Sequence, residues 1–291
     1  MLPRIFFVYL FLSAVLSARA DLPLTVEDLI TDKGKFKLDF SVAYANANRQ
    51  GLFAGDPITV QTGATSFVTL PSLVGETTGN SDTSVATLGL RYGLTSKTEI
   101  YARLSGIHNQ QRISGAGGLT KNSDSGFVDA WAGVNHQFKK DDETPAVLGF
   151  VELALREKQR SSGASFKSTM LGVTAYKAID PVVFSFTGAY RFSQNRQDDV
   201  HVVKPGNLLL LNPSVSFAVN DRVTLTTGVQ WTRRAAERID GQVQGFARTG
   251  TDLILGVGYG FDKGNTLNTS FKLNASGQGG AELRTSWLYT F

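Results

Sequence analysis

The chain of 291 residues contains no cysteine, so disulfide bonds and thiolate metal sites are both excluded. Its three histidines do not show the spacing of a metal site, and we predict neither a metal nor another cofactor. After residue 20, no apolar run approaches the roughly 18 residues that indicate a spanning helix. If the protein enters a membrane, it does so as β-strands, which in a closed barrel satisfy every backbone polar group.

Positive charge is present but not concentrated. The 29 Lys and Arg residues exceed the 25 Asp and Glu residues by only four, and they form no basic tract, which disfavours nucleic-acid binding. By contrast, 30 Gly and 19 Phe are typical of a β-protein with many turns and an aromatic girdle. No Pro/Ser-rich linker divides the chain, so we expect a single large domain.

Residues 1–20 have the pattern of a secretory signal peptide. Arg4 precedes an apolar stretch over residues 5–16, and residues 18–20 form an A-x-A cleavage site. The apolar stretch is too short to span a membrane as a helix. We therefore expect a secreted mature chain that begins near Asp21.

From residue 35 onward, short segments alternate apolar and polar residues with the period of a β-strand. Each is about 9–12 residues long, which suits a tilted strand that crosses a bilayer. The segments are residues 35–45, 84–94, 98–107, 126–137, 146–156, 167–177, 182–192, 207–218, 223–234, 251–260, 266–274 and 281–291. A soluble β-sandwich would show the same period, but the links here alternate between short turns and longer loops, as in outer-membrane barrels. We predict an all-β fold, a 12-stranded antiparallel transmembrane β-barrel over residues 35–291 with a short N-terminal plug helix.

The last strand adds a second indication of a membrane barrel. Trp287, Tyr289 and Phe291 share one face of the alternation, and the chain ends on Phe291. This ending resembles the C-terminal signature of bacterial outer-membrane barrels, in which the assembly machinery reads the terminal Phe. The resemblance implies localisation in the bacterial outer membrane, with outer-membrane lipid and the barrel-assembly machinery as partners.

The charged residues of the strands fall on the face opposite the apolar one. An Arg or Lys facing lipid at mid-bilayer costs about 2–4 kcal/mol, so we predict that these residues line the lumen. They are Lys37, Asp39, Arg91, Arg103, Asp129, Glu152, Arg156, Arg191, Arg234, Asp252, Lys272, Glu282 and Arg284. Two interpretations are open: salt bridges that stiffen the wall, or an aqueous path with a mild charge preference.

Residues 21–34 show the signals of a short helix. Thr25 is a candidate N-cap, and Lys33 and Gly34 suit the C-terminal end. The acidic first turn and the apolar face together comprise Val26, Glu27, Asp28, Leu29 and Ile30. Because so short a helix does not persist alone in water, we expect it to dock in the lumen as a plug or on the periplasmic rim.

Residues 24–44, LTVEDLITDKGKFKLDFSVAY, resemble the plug helix and first strand of the outer-membrane transporter of the functional-amyloid (Fap) secretion system. Residues 91–101, RYGLTSKTEIY, resemble the first periplasmic hairpin of that barrel and of its wider relatives, the phenol meta-pathway outer-membrane proteins. The resemblance implies a twelve-stranded barrel, a gating helix, a homotrimer and export of an amyloid-type polypeptide. The family's periplasmic coiled coil has no counterpart before the helix. This departure leaves open a porin that takes up small hydrophobic or aromatic molecules.

Two other classes fit the sequence less well. A barrel enzyme would need a catalytic constellation, but His108, His136 and His201 do not stand beside a suitable Ser and Asn on a strand. Asp198 and Asp199, near His201, are better explained as a polar loop tip than as a protease site. An adhesin would need large extracellular loops, for which only the loop after the first strand is a candidate. We therefore predict a channel with no catalytic residues.

Overall fold

The structure is a computed structural model, and it describes residues 30–49, 52–53, 58–61, 67–70, 75–76, 78–115, 118–159, 162–198, 200–262, 264–276 and 280–291. Twelve long antiparallel strands form a closed barrel in which each strand pairs with its neighbours along the chain, and the last pairs with the first. The strands are β1 Phe36–Arg49, β2 Thr78–Thr95, β3 Thr98–Gly115, β4 Gly118–Lys139, β5 Ala146–Gln159, β6 Ser168–Ile179, β7 Val182–Ser193, β8 Leu208–Ala218, β9 Val223–Arg234, β10 Arg248–Asp262, β11 Asn265–Asn274 and β12 Gly280–Thr290. The predicted twelve-stranded barrel is confirmed.

Three of the strands exceed their predicted lengths by seven or more residues. β2, β3 and β4 contain 18, 18 and 22 residues, whereas about 9–11 tilted residues cross a bilayer. Their outer parts continue as paired strands where residues 108–125 were predicted to be a loop. These parts are polar on both faces, so they lack the alternation by which a membrane strand is recognised.

The outer face of the barrel is apolar. Leu104, Val151 and Leu225 point away from the barrel axis and are 52%, 53% and 46% exposed. Their exposure to water would be unfavourable by about 25 cal/mol for each Å² of apolar surface. Contact with lipid hydrocarbon removes that cost, so this face suits the bilayer core.

The barrel closes between β12 and β1. Phe36 and Phe291 exchange two backbone hydrogen bonds, with N···O distances of 3.1 and 2.9 Å. The Phe36 ring also stacks on Phe291, with centroids 5.9 Å apart, and contacts Tyr92 at 4.7 Å. The aromatic C-terminus therefore lies at the seam, where it completes both the backbone pairing and the outer aromatic surface.

A small four-stranded sheet joins the loops that follow β7 and β9. Its strands are Arg196–Asp198, His201–Lys204, Glu237–Ile239 and Gln242–Gln244. Asp240 lies in the turn of this sheet and accepts hydrogen bonds from the backbone N–H of Val202 at 2.8 Å and from the His201 ring at 2.7 Å. Both hydrogen bonds lower the pKa of Asp240, and the one from the Val202 backbone has the larger effect.

The predicted plug helix falls mostly on residues that the structure does not describe. Val26, Glu27, Asp28 and Leu29 lie outside the described residues, as does the predicted signal peptide. Residues 30–34, which the prediction included in the helix, are extended or in a turn. They are held that way because Lys33 forms a parallel bridge with Gly93 and Gly34 adopts a φ of 80°. In the described part of the chain, no helix is long and apolar enough to span a membrane.

Candidate functional site: the barrel lumen

At the periplasmic end of the lumen, Arg91 links three strands. Its Nη2 atom lies 3.2 Å from Asp39 Oδ2 on β1, and its Nη1 atom lies 3.1 Å from Glu99 Oε1 on β3. Asn135 on β4 donates to Glu99 Oε1 at 2.6 Å. Glu99 is fully buried, and a buried carboxylate is tolerated only with such partners.

The segment before β1 binds to the same carboxylate. The backbone N–H and the hydroxyl of Thr31 each donate to Glu99 Oε2 at 2.7 Å. Ile30 packs against an inward-facing apolar cluster of Ala146, Leu148, Tyr176 and Val183. Residues 30 and 31 therefore lie within the periplasmic mouth of the barrel.

Gly93 allows this segment to approach the wall. A Cβ atom at Gly93 would lie 2.1 Å from the carbonyl oxygen of Asp32 and 2.4 Å from that of Thr31. The Gly34 N–H also donates to the Gly93 carbonyl at 2.8 Å. Any side chain at this position would push the segment away.

In the middle of the lumen, Arg103 links β3 with β4 and β5. Its Nη2 atom lies 3.2 Å from Glu152 Oε2, and its Nη1 atom lies 3.8 Å from Asp129 Oδ1. Tyr101 donates its hydroxyl to Glu152 at 2.8 Å, and the Trp131 indole donates to Asp129 at 2.9 Å. Each carboxylate therefore has a cation and a neutral donor as partners.

Two guanidinium groups lie close to the indole ring of Trp131. Arg103 and Arg191 lie 5.3 and 5.1 Å from its ring, within the range of a cation–π contact. Toward the extracellular end, Glu157 forms ion pairs with Arg191 and with Arg196, the latter at 3.3 Å. This side of the lumen is therefore cross-linked through most of its height.

Large side chains fill the wall from β4 to β8. The central apolar cluster consists of Trp131, Phe150, Ala154, Met170, Ala189 and Leu210, each at most 3% exposed. Glycines let two of the rings lie flat, because a Cβ atom at Gly172 or Gly133 would come within 2.5 Å of Phe150 or Tyr101. The opposite wall differs, because many inward residues of β9 to β12 are only half-buried.

The structure places every predicted lumen residue but one on the inward face. Seven of these residues are buried, with Glu282 among them, and the other five are half-buried. The other buried ones are Lys37, Asp39, Arg103, Asp129, Glu152 and Arg191, and the half-buried ones are Arg91, Arg234, Asp252, Lys272 and Arg284. Glu282 is also inward and 6% exposed.

The prediction for Arg156 was wrong, because a β-bulge shifts the alternation. The register between β4 and β5 passes from Trp131 opposite Ala154 to Ala130 opposite Arg156, so one residue is skipped. Arg156 is consequently exposed, and Glu157 takes the inward position. A bulge of this kind has no clear sequence signal.

Sequence reasoning missed further lumen residues, among them Glu99, Trp131, Glu157 and Arg196. Glu99 and Trp131 could have been found, because they alternate with Arg103 and Asp129 on the same strands. Arg196 belongs to a predicted loop and reaches the lumen only through the small extracellular sheet.

The three histidines do not cluster, because His108 and His136 lie far apart along the β3–β4 ladder. His108 contacts Ser125 at 2.6 Å, and His136 contacts Thr98 at 2.9 Å, while His201 pairs with Asp240 outside the barrel. Among the residues that the structure describes, no group of three or more His, Asp or Glu side chains could hold a metal ion.

Comparison with solved structures identifies the fold. The COG4313 outer-membrane channel of Pseudomonas putida F1 superposes with a TM-score of 0.63 at 13% identity, over 91% of this chain and 98% of that chain. The translocator domain of the autotransporter NalP of Neisseria meningitidis gives 0.54 at 14% identity, over 89% of each chain. The NanC porin gives 0.50 at 12% identity, over 87% and 98%. No family model matches the chain, and no curated protein matches it.

The chain has the fold of a bacterial outer-membrane β-barrel. Similarity at this level of identity shows the fold alone. Together with the closed ladder and the apolar outer face, it places the protein in the bacterial outer membrane. The fold agrees with the wider group of barrels to which the sequence resemblance pointed. Identification with the amyloid transporter stays a prediction.

Proposed function

We propose that this outer-membrane barrel is a channel for small water-soluble solutes, and that the segment before β1 restricts its periplasmic mouth. The observation that carries the proposal is the polar, half-buried inward wall of β9 to β12 inside a barrel that is closed and apolar outside. Such a wall offers solutes hydroxyl, amide and charged groups in place of water, as pore linings do. The three superposed barrels include a channel and a porin, which supports the same reading.

The contents of the lumen favour small solutes over a polypeptide. A translocating chain would need the width that Trp131, Phe150 and the ion pairs of Arg103 now occupy. Removal of one partner from a buried ion pair costs about 3–5 kcal/mol of stability. The wall from β4 to β8 is therefore a fixed lining.

The lumen also favours polar solutes over aromatic ones. Uptake of a hydrophobic compound would need an apolar surface open to the lumen. The central apolar cluster is at most 3% exposed, because its members pack against one another. The inward residues that remain accessible are mostly Gly, Ser, Thr and Asn.

The restriction at the mouth rests on Thr31. Its two hydrogen bonds to Glu99 and the packing of Ile30 hold the segment against the inner wall. Both interactions are local, so the segment can leave without unfolding of the barrel.

Proteoliposome swelling in a small neutral sugar tests the function. We expect slow swelling with the mature protein and faster swelling when residues 21–33 are deleted, with liposomes free of protein as the blank. A parallel assay measures the entry of a fluorescent unfolded polypeptide that is added to the solution outside the vesicles. Entry of the polypeptide with no sugar permeation would contradict the proposal and favour the export role that the resemblance implied.

A further inference from the structure

The two walls of the lumen differ in how much of their inward surface is accessible. Strand register places Thr226, Gly256, Ser270 and Arg284 side by side on β9, β10, β11 and β12. All four are half-buried, whereas their outward neighbours, such as Leu225, lie on the apolar outer face. In a closed barrel, an inward residue can be exposed only to the lumen.

The facing wall is closed to solvent at similar height. Thr174 on β6 and Thr187 on β7 point inward, lie 3.0 Å apart between their hydroxyl oxygens, and are 5% and 6% exposed. The apolar cluster around Trp131 continues this packed surface toward the extracellular end. Free space in the lumen is therefore displaced from the barrel axis toward β9 to β12.

A second observation on the accessible wall points to a ligand. Gln230 on β9 points inward between the half-buried Gly228 and Thr232 and is 1% exposed. Within the described part of the chain, no group donates a hydrogen bond to its side-chain oxygen. A buried amide oxygen in this state is costly, and a hydroxyl group of a passing solute would satisfy it once the side chain turns into the lumen. Asp252, directly opposite in the strand register, offers a second acceptor.

Charges of both signs alternate along the same wall. Lys272 pairs with Glu282 at 2.6 Å, and Asp252 accepts from Asn274 at 3.0 Å. With Arg234, Arg248 and Arg284, these groups give four cations and two anions, so positive charge dominates. The wall therefore does not favour cationic solutes.

We infer that the solute path is eccentric, running along β9 to β12, and that Gln230 and Asp252 form a subsite for neutral solutes rich in hydrogen-bond donors. This inference rests on the proposed channel function and adds to it the position of the path and the chemical class of solute.

Cysteine labelling tests the position of the path. Thr226→Cys and Thr187→Cys are matched changes, since both residues point inward and the chain has no native cysteine. A sulfonated, membrane-impermeant thiol reagent should modify Thr226→Cys rapidly and leave Thr187→Cys almost unmodified, as read by mass spectrometry on the folded barrel. Equal modification of both, or faster modification of Thr187→Cys, would overturn the eccentric path.

A small-to-large change tests the path by conductance. A Cβ atom at Gly256 would meet nothing closer than 3.5 Å, so a side chain can start there, and Gly256→Phe should project its ring into the lumen. We expect the open conductance to fall to about half or less. Ala102→Phe, on the lipid face, is the folding control and should leave conductance unchanged. An unchanged conductance in Gly256→Phe would place the path elsewhere.

Gln230→Met tests the subsite, because it keeps the length of the side chain and removes the acceptor. The ratio of sugar permeability to KCl conductance should fall by about half or more. An unchanged ratio would show that Gln230 is not part of the solute subsite. Cysteine labelling does not depend on ion conduction, so it separates failure of the channel function from failure of the eccentric path. A barrel that conducts no ions but is modified at Thr226→Cys and not at Thr187→Cys would refute the channel function and retain the eccentric cavity.

Discussion

Replacement of Thr31 by Val is expected to loosen the segment in the periplasmic mouth. The change keeps the shape of the side chain but removes the hydroxyl that donates to Glu99 Oε2 at 2.7 Å. A hydrogen bond to a charged group contributes about 1.5–3 kcal/mol, and the site is closed to water because Thr31 is 1% exposed. Since about 1.4 kcal/mol corresponds to a factor of ten, the open population should rise by about tenfold to a hundredfold.

Single-channel recording in planar bilayers measures that population directly. Thr31→Ser is the matched control, because it keeps the donor and should gate like the unmodified protein. The conductance of the open state should be the same in all three proteins, since only the segment moves. Equal open probability in Thr31→Val and the unmodified protein would refute the role of this hydrogen bond, and so would a Ser variant as open as the Val variant.

Three further changes follow from the same structure. Gly93→Ala should displace the segment by steric conflict with its carbonyl oxygens and raise the open probability, whereas Gly79→Ala, whose added Cβ meets nothing closer than 3.9 Å, should not. Deletion of Phe291 should reduce the heat-modifiable, folded fraction on a gel, because it removes the closing hydrogen bonds of β12; an unchanged fraction would contradict this. Because folding lowers the pKa of Asp240, its carboxylate stabilises the extracellular sheet at pH values above the ordinary pKa of about 4. This stabilisation is lost as the pH falls through the pKa of the folded protein. The protection factor of the Val202 amide, which is the intrinsic exchange rate at each pH divided by the observed rate, should therefore fall in acid, and Asp240→Asn should abolish that fall.

The fold was readable from the sequence because lipid imposes a strict pattern on each strand. Outward residues had to be apolar and inward charges had to avoid the bilayer, so alternation alone identified all twelve strands and most of the lumen charges. Alternation did not identify the parts of the strands that extend beyond the bilayer, because lipid does not constrain their outward residues. The upper parts of β3 and β4 are paired strands with two polar faces, which look like loops in the sequence.

The arrangement inside the lumen could be predicted only in part. Alternation shows that Glu99 and Arg103 face inward, but not that Glu99 binds Thr31 or that Arg103 stacks on Trp131. Those contacts depend on the barrel's closure, which brings distant strands together. The bulge at Arg156 reversed one assignment, because a single extra residue exchanges the two faces of a strand.

Conductance of the purified mature protein in a planar bilayer tests the central claim most directly. We predict rare, discrete openings in KCl with the unmodified protein and frequent openings of the same size with Thr31→Val. A correctly folded, heat-modifiable barrel that shows no discrete openings in either form would contradict the proposal that this protein is a channel.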